Sequence, residues 1–316
     1  MDPAFAACLE IDGFNGLSQQ LGWSCTAEWC EHWSVRSGLT LAHEVWPDGV
    51  QPSWIASAAL PLLSHLERLV GSNGRQVVGL SAMAGCGKTT LCSWLEAASA
   101  ELGFTAAVVS LDDFYYEAER LDRAMHGNPW QAPRGVPGSH DTDLLAASLH
   151  HWFHSGVLEH PCFDKSLRDG RGDRSGFKRI TADIVLIEGW FLGVQPWPSS
   201  PADASASGDV SGLLPQEQAY RDTVWSSLHA YRRSWEAIHS LWHFRSHQLT
   251  NTRAWKRQQN ESMYRSARVR LEQSDLERFV RMLEVCIPEV ALLNIDQAEV
   301  VFSLDQGRSV RRVVCR

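Results

Sequence analysis

The sequence predicts an α/β protein in which a mostly parallel sheet is flanked by helices. Short apolar runs rich in β-branched residues alternate with helical patterns from residue 75 onward, as is typical of strands joined by crossover helices. The first apolar run leads through a loop of small residues into a helix. Polar residues follow the runs where the carboxyl ends of parallel strands would meet, and ligands bind at that edge of such a sheet.

The predicted elements follow one another in a regular order along the chain. Residues 1–70 contain several tryptophans and a helical pattern near 56–70, and are predicted to form a helical N-terminal extension of a main domain that spans 71–316. Strands are predicted at Val77–Leu80, Thr105–Leu111, Ile184–Ile187, Glu299–Leu304 and Ser309–Val314, and helices after Gly87, over Thr142–His154, and over roughly 215–240 and 250–285. Residues 198–212 are rich in Ser, Ala and Pro, which favours a flexible surface insertion.

Length, charge and cysteine usage restrict the classes of protein to which the chain could belong. The chain of 316 residues has an ordinary globular composition and a net charge of −8, which argues against general nucleic-acid binding. No apolar run approaches the roughly 18 residues of a membrane span, and the first residues lack the basic and apolar segments of a secretory signal. The eight cysteines are scattered without a CxxC pair, so we expect reduced thiols and a cytoplasmic location.

Residues 76–95 contain the most informative motif, a strand followed by a small-residue loop, Gly-Lys-Thr and a helix. This is the pattern of a phosphate-binding loop in nucleoside-triphosphate enzymes. Small residues allow backbone N–H groups to close on a triphosphate, and the positive end of the helix dipole points at the same anion. Lys88 can reach the β- and γ-phosphates, and the Thr89 hydroxyl can ligate Mg²⁺. The predicted nucleotide-binding residues of the loop are Ala84, Gly85, Cys86, Gly87, Lys88, Thr89 and Thr90.

This motif departs from the usual pattern at its first position, where Ala82 stands in place of Gly. Alanine is small, but it cannot adopt every backbone conformation that glycine can. The alternative interpretation is a chance Gly-Lys-Thr at the start of a helix. The correctly placed strand and helix on either side favour nucleotide binding.

Charge is distributed unevenly along the chain. Residues 1–70 hold eight acidic and two basic residues, whereas residues 221–285 hold twelve basic and seven acidic residues. The basic stretch is consistent with a solvated helix face that carries intrahelical ion pairs. It is equally consistent with a helical lid over 250–285 that faces phosphate groups, and charge alone does not separate the two interpretations.

Acidic residues follow the second and third predicted strands. Asp112 and Asp113 come after the second strand, and Glu188 comes after the third. A kinase needs one carboxylate near the acceptor hydroxyl and another near the metal ion, and these positions would supply both beside a triphosphate site. The alternative is that Asp112 or Asp113 caps the segment that follows.

Two polar loops are candidates for a substrate pocket. Residues 127–143 form a Pro/Gly-rich loop that presents Arg134, His140 and Asp141, and rigid loops of this kind suit a small-molecule site. Residues 163–174 carry four basic side chains with three aspartates interleaved. Arginine can hold a carboxylate in a fork-shaped pair, whereas composition alone favours a solvated surface for this second loop.

Taken together, these segments resemble the D-glycerate 3-kinases of plants and cyanobacteria, within the phosphoribulokinase/uridine kinase group of P-loop kinases. The matching segments are Gly79-Leu-Ser-Ala-Met-Ala-Gly-Cys-Gly-Lys-Thr-Thr, Ser110-Leu-Asp-Asp-Phe-Tyr, Asn128-Pro, Arg134-Gly-Val-Pro-Gly-Ser-His-Asp, Phe163-Asp-Lys-Ser, Gly170-Arg-Gly-Asp-Arg and Ile187-Glu-Gly-Trp-Phe-Leu-Gly. The phosphate loop is generic, but the blocks that begin at Arg134 and Gly170 are far more specific. Arg257-Gln-Gln-Asn-Glu261 resembles the helical lid of these kinases. The resemblance implies a P-loop kinase fold.

The resemblance also implies roles for individual residues. Asp112 stands where the carboxylate accepts the proton of the substrate hydroxyl, and Asp113 falls where uridine kinases have Ser. Glu188 resembles the carboxylate that supports Mg²⁺ together with Thr89, and Arg257 is the expected lid residue at the nucleotide. The expected substrate-binding residues are Asp113, Tyr115, Arg134, His140, Asp141, Lys165, Asp173 and Arg174.

The implied activity is that of an ATP-dependent kinase that phosphorylates D-glycerate at its 3-hydroxyl to give 3-phosphoglycerate, as in photorespiratory glycerate recovery, with Mg²⁺ as the metal cofactor. Asp112 and Lys88 would be the catalytic residues, and Arg174 is favoured over Arg134 for the glycerate carboxylate because its loop also supplies Lys165 and Asp173. Two alternatives stay open: a related kinase for a nucleoside or pantothenate, and a non-catalytic ATP-binding regulatory protein. The expected partner is a small molecule, not a nucleic acid or a membrane.

Overall fold

A computed structural model describes residues 1–72, 74–196, 212–246, 250–267 and 272–316. The predicted insertion at 198–212 lies outside the described residues except for Gly212. Within the described part of the chain, no helix combines the length and apolar character needed to cross a membrane. All eight cysteines are free thiols in this structure.

The strands form one large sheet and one hairpin. In chain order the strands are β1 Val77–Ala82, β2 Ala106–Ser110, β3 Val157–Asp164, β4 Asp173–Thr181, β5 Ile184–Gly189, β6 Ser240–Ser246, β7 Ala298–Leu304 and β8 Val310–Cys315. Six of them pair in the order β2-β5-β1-β6-β7-β8, and every pair is parallel except β7 with β8. The strands β3 and β4 form a separate antiparallel hairpin. The predicted mostly parallel sheet is therefore confirmed.

Helices cover the sheet and precede it. The described helices are α1 Pro3–Leu9, α2 Phe14–Gln20, α3 Thr26–Val35, α4 Pro52–Trp54, α5 Leu60–Val70, α6 Lys88–Glu101, α7 Ala118–Ala124, α8 Thr142–Ser155, α9 Pro215–Leu228, α10 Arg232–Glu236, α11 Thr250–Ala267, α12 Gln273–Val285 and α13 Glu289–Leu293. A π-helical turn joins α4 to α5, and short 3-10 turns follow β2 and α9. The helices predicted after Gly87, near 56–70 and over Thr142–His154 are confirmed.

The helix predicted over roughly 215–240 is divided into α9 and α10, with the 3-10 turn His229–Tyr231 between them. The helix α9 ends at Leu228, and the strand β6 begins at Ser240 between β1 and β7. The apolar run at 241–244 is too short for periodicity to distinguish a strand from a buried helical turn. The helix predicted over 250–285 is instead two helices, α11 and α12.

The core of the sheet lies at β1 and β5, in which every residue is buried. Gly79 lies where this sheet meets its covering layer, and a Cβ there would lie 2.7 Å from Leu241 Cδ1 and 3.0 Å from Ile238 Cγ2. A side chain at this position would therefore force the neighbouring side chains apart. The absence of a Cβ allows close packing beside the strand that leads into the phosphate loop.

The first 70 residues share this core. Trp94 of α6 stacks on Trp46 at 5.2 Å, and its indole N–H donates to the Leu41 carbonyl at 2.7 Å. At the other edge, the Val313 amide of β8 donates to the Asp12 carbonyl at 2.8 Å. A Cβ on Gly13 would lie 1.9 Å from the Val313 oxygen, so this contact requires glycine. The N-terminal helices are thus packed on both the phosphate-loop helix and the last strand.

Candidate active site

The phosphate loop connects β1 to α6. Gly85 and Gly87 have φ angles of +83° and +101°, in the region that favours glycine. Gly87 precedes α6, and no described side chain caps the start of that helix, so its first N–H groups are available to an anion. Ala82 ends β1 with a negative φ angle, so alanine in place of the usual glycine fits the backbone here. Lys88 Nζ lies 2.7 Å from the Ala82 carbonyl, folded back along the loop.

The carboxyl ends of β2 and β5 place acidic side chains beside this loop. Ser110 and Glu188 are register partners on the two strands, and the Ser110 hydroxyl donates to Glu188 at 2.5 Å. Burial raises the pKa of Glu188, and the nearby Lys88 opposes that rise. Glu188 is 8% exposed and Leu80 of β1 is its register partner on the other side. The structure therefore brings Glu188 and the phosphate loop to the same edge of the sheet.

The two aspartates after β2 have different environments. Asp112 accepts hydrogen bonds from Lys165 Nζ at 2.6 Å and from the Tyr115 hydroxyl at 2.8 Å. Burial acts to raise its pKa, but the Lys165 ion pair overcomes this and holds the pKa well below its ordinary value. Asp113 instead accepts from the Phe163 amide of the hairpin at 3.3 Å, and burial raises its pKa. Asp112 is thus held ionised by Lys165, whereas Asp113 ties the hairpin to the sheet.

Cations gather around Asp112 from several elements. Lys88 and Lys165 lower the pKa of Lys256, and so does Arg134, which shows that all four cations lie near one another. Two carboxylates lie beside these cations: Asp112 interacts with Lys165 and Lys256, and Glu188 interacts with Lys88 and Lys165. A surplus of positive charge at the end of a parallel sheet suits an anionic ligand.

Lys256 is the member of this cluster that sequence reasoning missed. It is half-buried, donates to Gln259 Oε1 at 2.9 Å and lies 5.2 Å from the Phe279 ring, with no carboxylate partner among the described residues. Burial, together with Lys165 and Lys88, lowers its pKa to about 8. The expected lid residue, Arg257, is exposed. Only the rotation of α11 distinguishes these neighbours, because adjacent helical residues point about 100° apart.

The helix α11 lies directly against the phosphate loop. A Cβ on Gly85 would lie 2.9 Å from Trp255 Cβ and 3.2 Å from the Lys256 nitrogen. Arg308, in the turn between β7 and β8, donates to the Gly85 carbonyl at 3.0 and 3.1 Å and to Gln258 Oε1 at 2.8 Å. Its guanidinium group lies 5.4 Å from the centre of the Trp255 ring. Arg308 therefore joins the loop to α11.

Arg174 and Arg134 are the two candidates for binding a substrate carboxylate, and they differ in their present hydrogen-bond partners. Arg174 on β4 donates to the Tyr115 carbonyl and to Asp141, both at 3.1 Å, and its side chain is 15% exposed. Arg134 donates through one nitrogen to the carbonyls of Gly170 and Arg171, at 2.8 and 2.9 Å. Each arginine thus uses two of its five donors, but Arg174 already pairs with a carboxylate. Arg134 binds only carbonyls among the described residues and lies in the cation cluster.

Two further expected substrate residues hold the loops of the site. Asp141 caps α8, accepting from the Leu144 amide at 3.2 Å. Asp173 accepts from the Ala118 and Arg174 amides, both at 2.9 Å. These carboxylates therefore connect the hairpin to two loops of the site.

His140 packs on Tyr115 and lies near Asp112. Its ring stacks on Tyr115 at 4.4 Å, and its Nδ1 lies 2.7 Å from the Tyr231 hydroxyl. Burial lowers the pKa of His140 to about 4, so the imidazole is neutral near pH 7. Its Nε2 atom is buried and has no partner among the described residues. Sequence reasoning also missed Tyr231, which lies far along the chain in a turn that carries no motif.

The oxygen donors fit a magnesium ion that arrives with a nucleotide. Thr89 lies in the first turn of α6, and Glu188 lies at the adjacent strand end. Mg²⁺ prefers hard oxygen ligands and is often bound through few protein groups plus substrate phosphates. Among the described residues no group of three or more His, Cys, Asp or Glu side chains could hold a metal alone. A site with few protein ligands is consistent with phosphate oxygens completing the coordination.

The chain is similar in sequence to known kinases. No protein-family model matches the chain. Over 178 residues it is 34% identical to the chloroplastic D-glycerate 3-kinase of Arabidopsis thaliana, an alignment that covers 52% of this chain and 36% of the plant protein. It is 29% identical over 234 residues to the uncharacterized kinase mug58 of Schizosaccharomyces pombe, covering 68% of this chain and 80% of that protein. The chain thus spans about a third of the length of the plant relative.

Solved structures show the same fold. A D-glycerate 3-kinase from Cryptococcus neoformans superposes with a TM-score of 0.65 at 19% identity, over 95% of this chain and 99% of that one. The protein YGR205w superposes with a TM-score of 0.65 at 22% identity, over 81% and 98% of the two chains. The predicted resemblance and fold are therefore confirmed: the chain is homologous to D-glycerate 3-kinase and has a P-loop kinase fold.

Proposed function

We propose that the protein transfers the γ-phosphoryl group of Mg·ATP to the 3-hydroxyl of D-glycerate and so produces 3-phosphoglycerate. The observation that carries this proposal is Asp112, an ionised carboxylate that pairs with Lys165 at 2.6 Å and lies near Lys256, at the sheet edge that bears the phosphate loop. Kinases need such a group at the acceptor hydroxyl. The homology to a plant D-glycerate 3-kinase supports glycerate as the acceptor.

The phosphate loop would hold ATP. The free N–H groups at the start of α6 and the left-handed glycines of the loop suit the triphosphate. Lys88 would leave the Ala82 carbonyl, to which it now donates, and contact the transferring phosphoryl group. Thr89 and Glu188 would hold Mg²⁺, which neutralises charge on the phosphates when bound.

Asp112 would orient the acceptor hydroxyl and accept its proton as the oxygen–phosphorus bond forms. The hydroxyl would compete with the Tyr115 hydroxyl for Oδ1 of Asp112, while Lys165 donates to Oδ2 of the same carboxylate. Lys165 then stabilises the carboxylate and its ligand together. Because the pKa of Asp112 is low, the carboxylate is ready to accept a hydrogen bond throughout the physiological pH range.

The surrounding cations would divide between the two anionic groups of the reactants. Arg134, with donors still free, is placed to pair with the glycerate carboxylate. Lys256, which has no carboxylate partner among the described residues, is placed to face the phosphoryl group from α11. Arg174 would act indirectly, through its hydrogen bonds to the Tyr115 carbonyl and Asp141.

A direct test is a screen of acceptors with the purified protein. ADP formation is measured with ATP and Mg²⁺ plus D-glycerate, uridine, pantothenate or ribulose 5-phosphate, and the product is identified by NMR. We expect ADP only with D-glycerate, at a rate that Lys88→Ala lowers by about a hundredfold or more. Turnover with another acceptor would identify a related kinase. ATP binding without turnover on any acceptor would indicate a regulatory nucleotide-binding protein.

The proposed reaction also suggests a place in the cell. A D-glycerate 3-kinase returns glycerate to 3-phosphoglycerate, which is the step needed for photorespiratory carbon recovery. We propose a cytoplasmic location, consistent with eight unpaired thiols. Fractionation that compares glycerate kinase activity with this polypeptide across compartments tests the location.

A further inference from the structure

Tyr231 lies next to His140, in the 3-10 turn His229–Tyr231 that follows α9. Its side chain is fully buried, and its hydroxyl makes two short contacts. The Gly138 amide donates to the hydroxyl oxygen at 2.8 Å, and His140 Nδ1 lies 2.7 Å from the same oxygen. The hydroxyl therefore connects the Pro/Gly-rich loop to the imidazole.

The hydrogen of this buried hydroxyl needs an acceptor. The Gly138 amide can only donate, so the acceptor available to Tyr231 is His140 Nδ1. Protonation of Nδ1 instead would leave the buried O–H without a partner, an arrangement that native structures avoid. Ser139 does not change this outcome, because its hydroxyl donates to the Val136 carbonyl at 2.6 Å and lies 3.5 Å from Nδ1.

The neutral imidazole carries one proton, so an acceptor at Nδ1 means a donor at Nε2. We propose that Tyr231 fixes the proton of His140 on Nε2 and thereby presents a hydrogen-bond donor to an oxygen atom of the acceptor substrate. Tyr231 is in this sense a positioning residue that acts through His140. The inference deepens the proposed kinase function and rests on it for the identity of the acceptor.

The unpartnered Nε2 atom supports a ligand at this position. It is buried and unbonded among the described residues, and a buried donor without an acceptor is costly. Asp112 and His140 shift each other's pKa, so the imidazole lies near the proposed base. The Tyr115 ring covers one face of the imidazole while its hydroxyl is bound to Asp112. A substrate hydroxyl that replaces Tyr115 on Asp112 would free that ring and open the way to Nε2.

The tautomer is measured directly, without reference to activity. In protein labelled with ¹⁵N-histidine, long-range ¹H–¹⁵N correlation spectra distinguish Nε2–H from Nδ1–H, and the His140→Gln variant assigns the signals. We expect the Nε2–H form of His140 in the unliganded wild type. An Nδ1–H form there would overturn the proposal, whatever the substrate turns out to be.

The Tyr231→Phe variant tests the positioning role. The ring contacts with Phe191 and Trp235, both at 5.3 Å, are kept, while the hydroxyl is lost. We expect the single tautomer of His140 to be lost and the KM for glycerate to rise about three- to tenfold, as for the loss of one neutral hydrogen bond, with the KM for ATP unchanged. The matched control is Tyr220→Phe, a half-buried tyrosine that packs edge-on against Trp130.

These measurements separate the inference from the proposed function. Should Tyr231→Phe keep both the Nε2–H form and the wild-type KM for glycerate, Tyr231 has no positioning role. Should the wild type show Nε2–H but fail to phosphorylate glycerate, the tautomer assignment stands and the choice of acceptor is wrong. The wild-type spectrum is decisive even if Tyr231→Phe does not fold.

Discussion

At the scale of single residues, the two adjacent aspartates after β2 make a sharp comparison. Asp112 faces Lys165 and the Tyr115 hydroxyl, whereas Asp113 accepts from the Phe163 amide. We expect Asp112→Asn to lower kcat by about 10²- to 10⁴-fold with a modest change in ATP affinity, because the proton acceptor is lost. Asp113→Asn is the matched control and should retain most of the activity. Steady-state kinetics on both variants test this assignment. A larger loss of kcat in Asp113→Asn than in Asp112→Asn would assign the base to Asp113.

The choice between Arg134 and Arg174 is a second prediction at this scale. Sequence reasoning favours Arg174, but its guanidinium group already binds Asp141 and the Tyr115 carbonyl. We therefore expect Arg134→Ala to raise the KM for glycerate, about tenfold for each 1.4 kcal/mol of lost binding, with ATP binding unchanged. Arg134→Lys should rescue poorly if the contact is a two-point fork.

Arg174→Ala gives a different signature in the same assay. Its loss leaves Asp141 without its 3.1 Å partner and frees the Tyr115 loop, so the thermal midpoint should fall together with kcat. A selective rise in the KM for glycerate in Arg174→Ala, with Arg134→Ala normal, would restore the sequence-based assignment.

Lys256 and Arg257 form the third comparison. Lys256 lies in the cation cluster, and Arg257 is exposed on the same helix. We expect Lys256→Met to lower kcat/KM for ATP by about a hundredfold, as for loss of a charged contact to the transferring group. Lys178→Met, on the exposed face of the hairpin, controls for loss of a lysine charge. A large defect in Arg257→Met alone would instead place the lid contact at Arg257.

The pH dependence of the same variants is a further check. The pKa of Lys256 is about 8 in the free protein, so its charge is present below that pH and is lost above it. The neighbours that set this value are Lys88, Lys165, Arg134 and Asp112. We expect kcat/KM for ATP, which reports the free enzyme, to decline above about pH 8. Lys256→Arg should move that decline to higher pH, because arginine stays charged.

At the scale of elements, the contact between the β7–β8 turn and the phosphate loop leads to a prediction. Arg308 donates to the Gly85 carbonyl and to Gln258 of α11. We expect Arg308→Ala to raise the KM for ATP several-fold with a smaller effect on kcat, because the phosphate loop loses the hydrogen bonds that hold its Gly85 carbonyl. Arg311→Ala, which removes only an exposed pair with Asp305, is the control. An unchanged KM for ATP in Arg308→Ala would show that the loop needs no such support.

The elements that could be predicted are those with a strong local pattern. The strands β1, β2 and β5 are apolar runs that end in polar residues, and the glycines of the phosphate loop mark its turn. The hairpin could not be predicted, because β4 is largely exposed and rich in charge, which is also the composition of a surface loop. The strand β6 was missed because its apolar run follows a helix with no break signal.

The same limit applies to the site. Acidic residues at strand ends could be located because parallel strands end at one edge. The distinction between Lys256 and Arg257 required the rotation of α11, which its packing on Gly85 sets. Tyr231 could not be found from sequence, since its role depends on a contact with a residue 91 positions away.

At the scale of the whole molecule, the N-terminal helices are part of the same packed body as the sheet edge that bears the phosphate loop. Trp46 stacks on Trp94, which belongs to the helix that starts at the phosphate loop. Residues of α1, α2, α3 and α5 lie in the same hydrophobic core as the central strands. These contacts connect the first 70 residues to the helix whose N-terminus would hold the triphosphate.

The contact between Asp12 and Val313 has a consequence for synthesis on the ribosome. The N-terminal helices emerge first, but β8, on which α2 packs and whose Val313 amide binds the Asp12 carbonyl, is made late. The face of α2 that packs on β8 therefore stays uncovered until translation reaches the end of the sheet. We expect ribosome-bound chains halted near residue 304 to be cut readily by protease within the first 70 residues, and chains extended beyond residue 316 by a linker to resist.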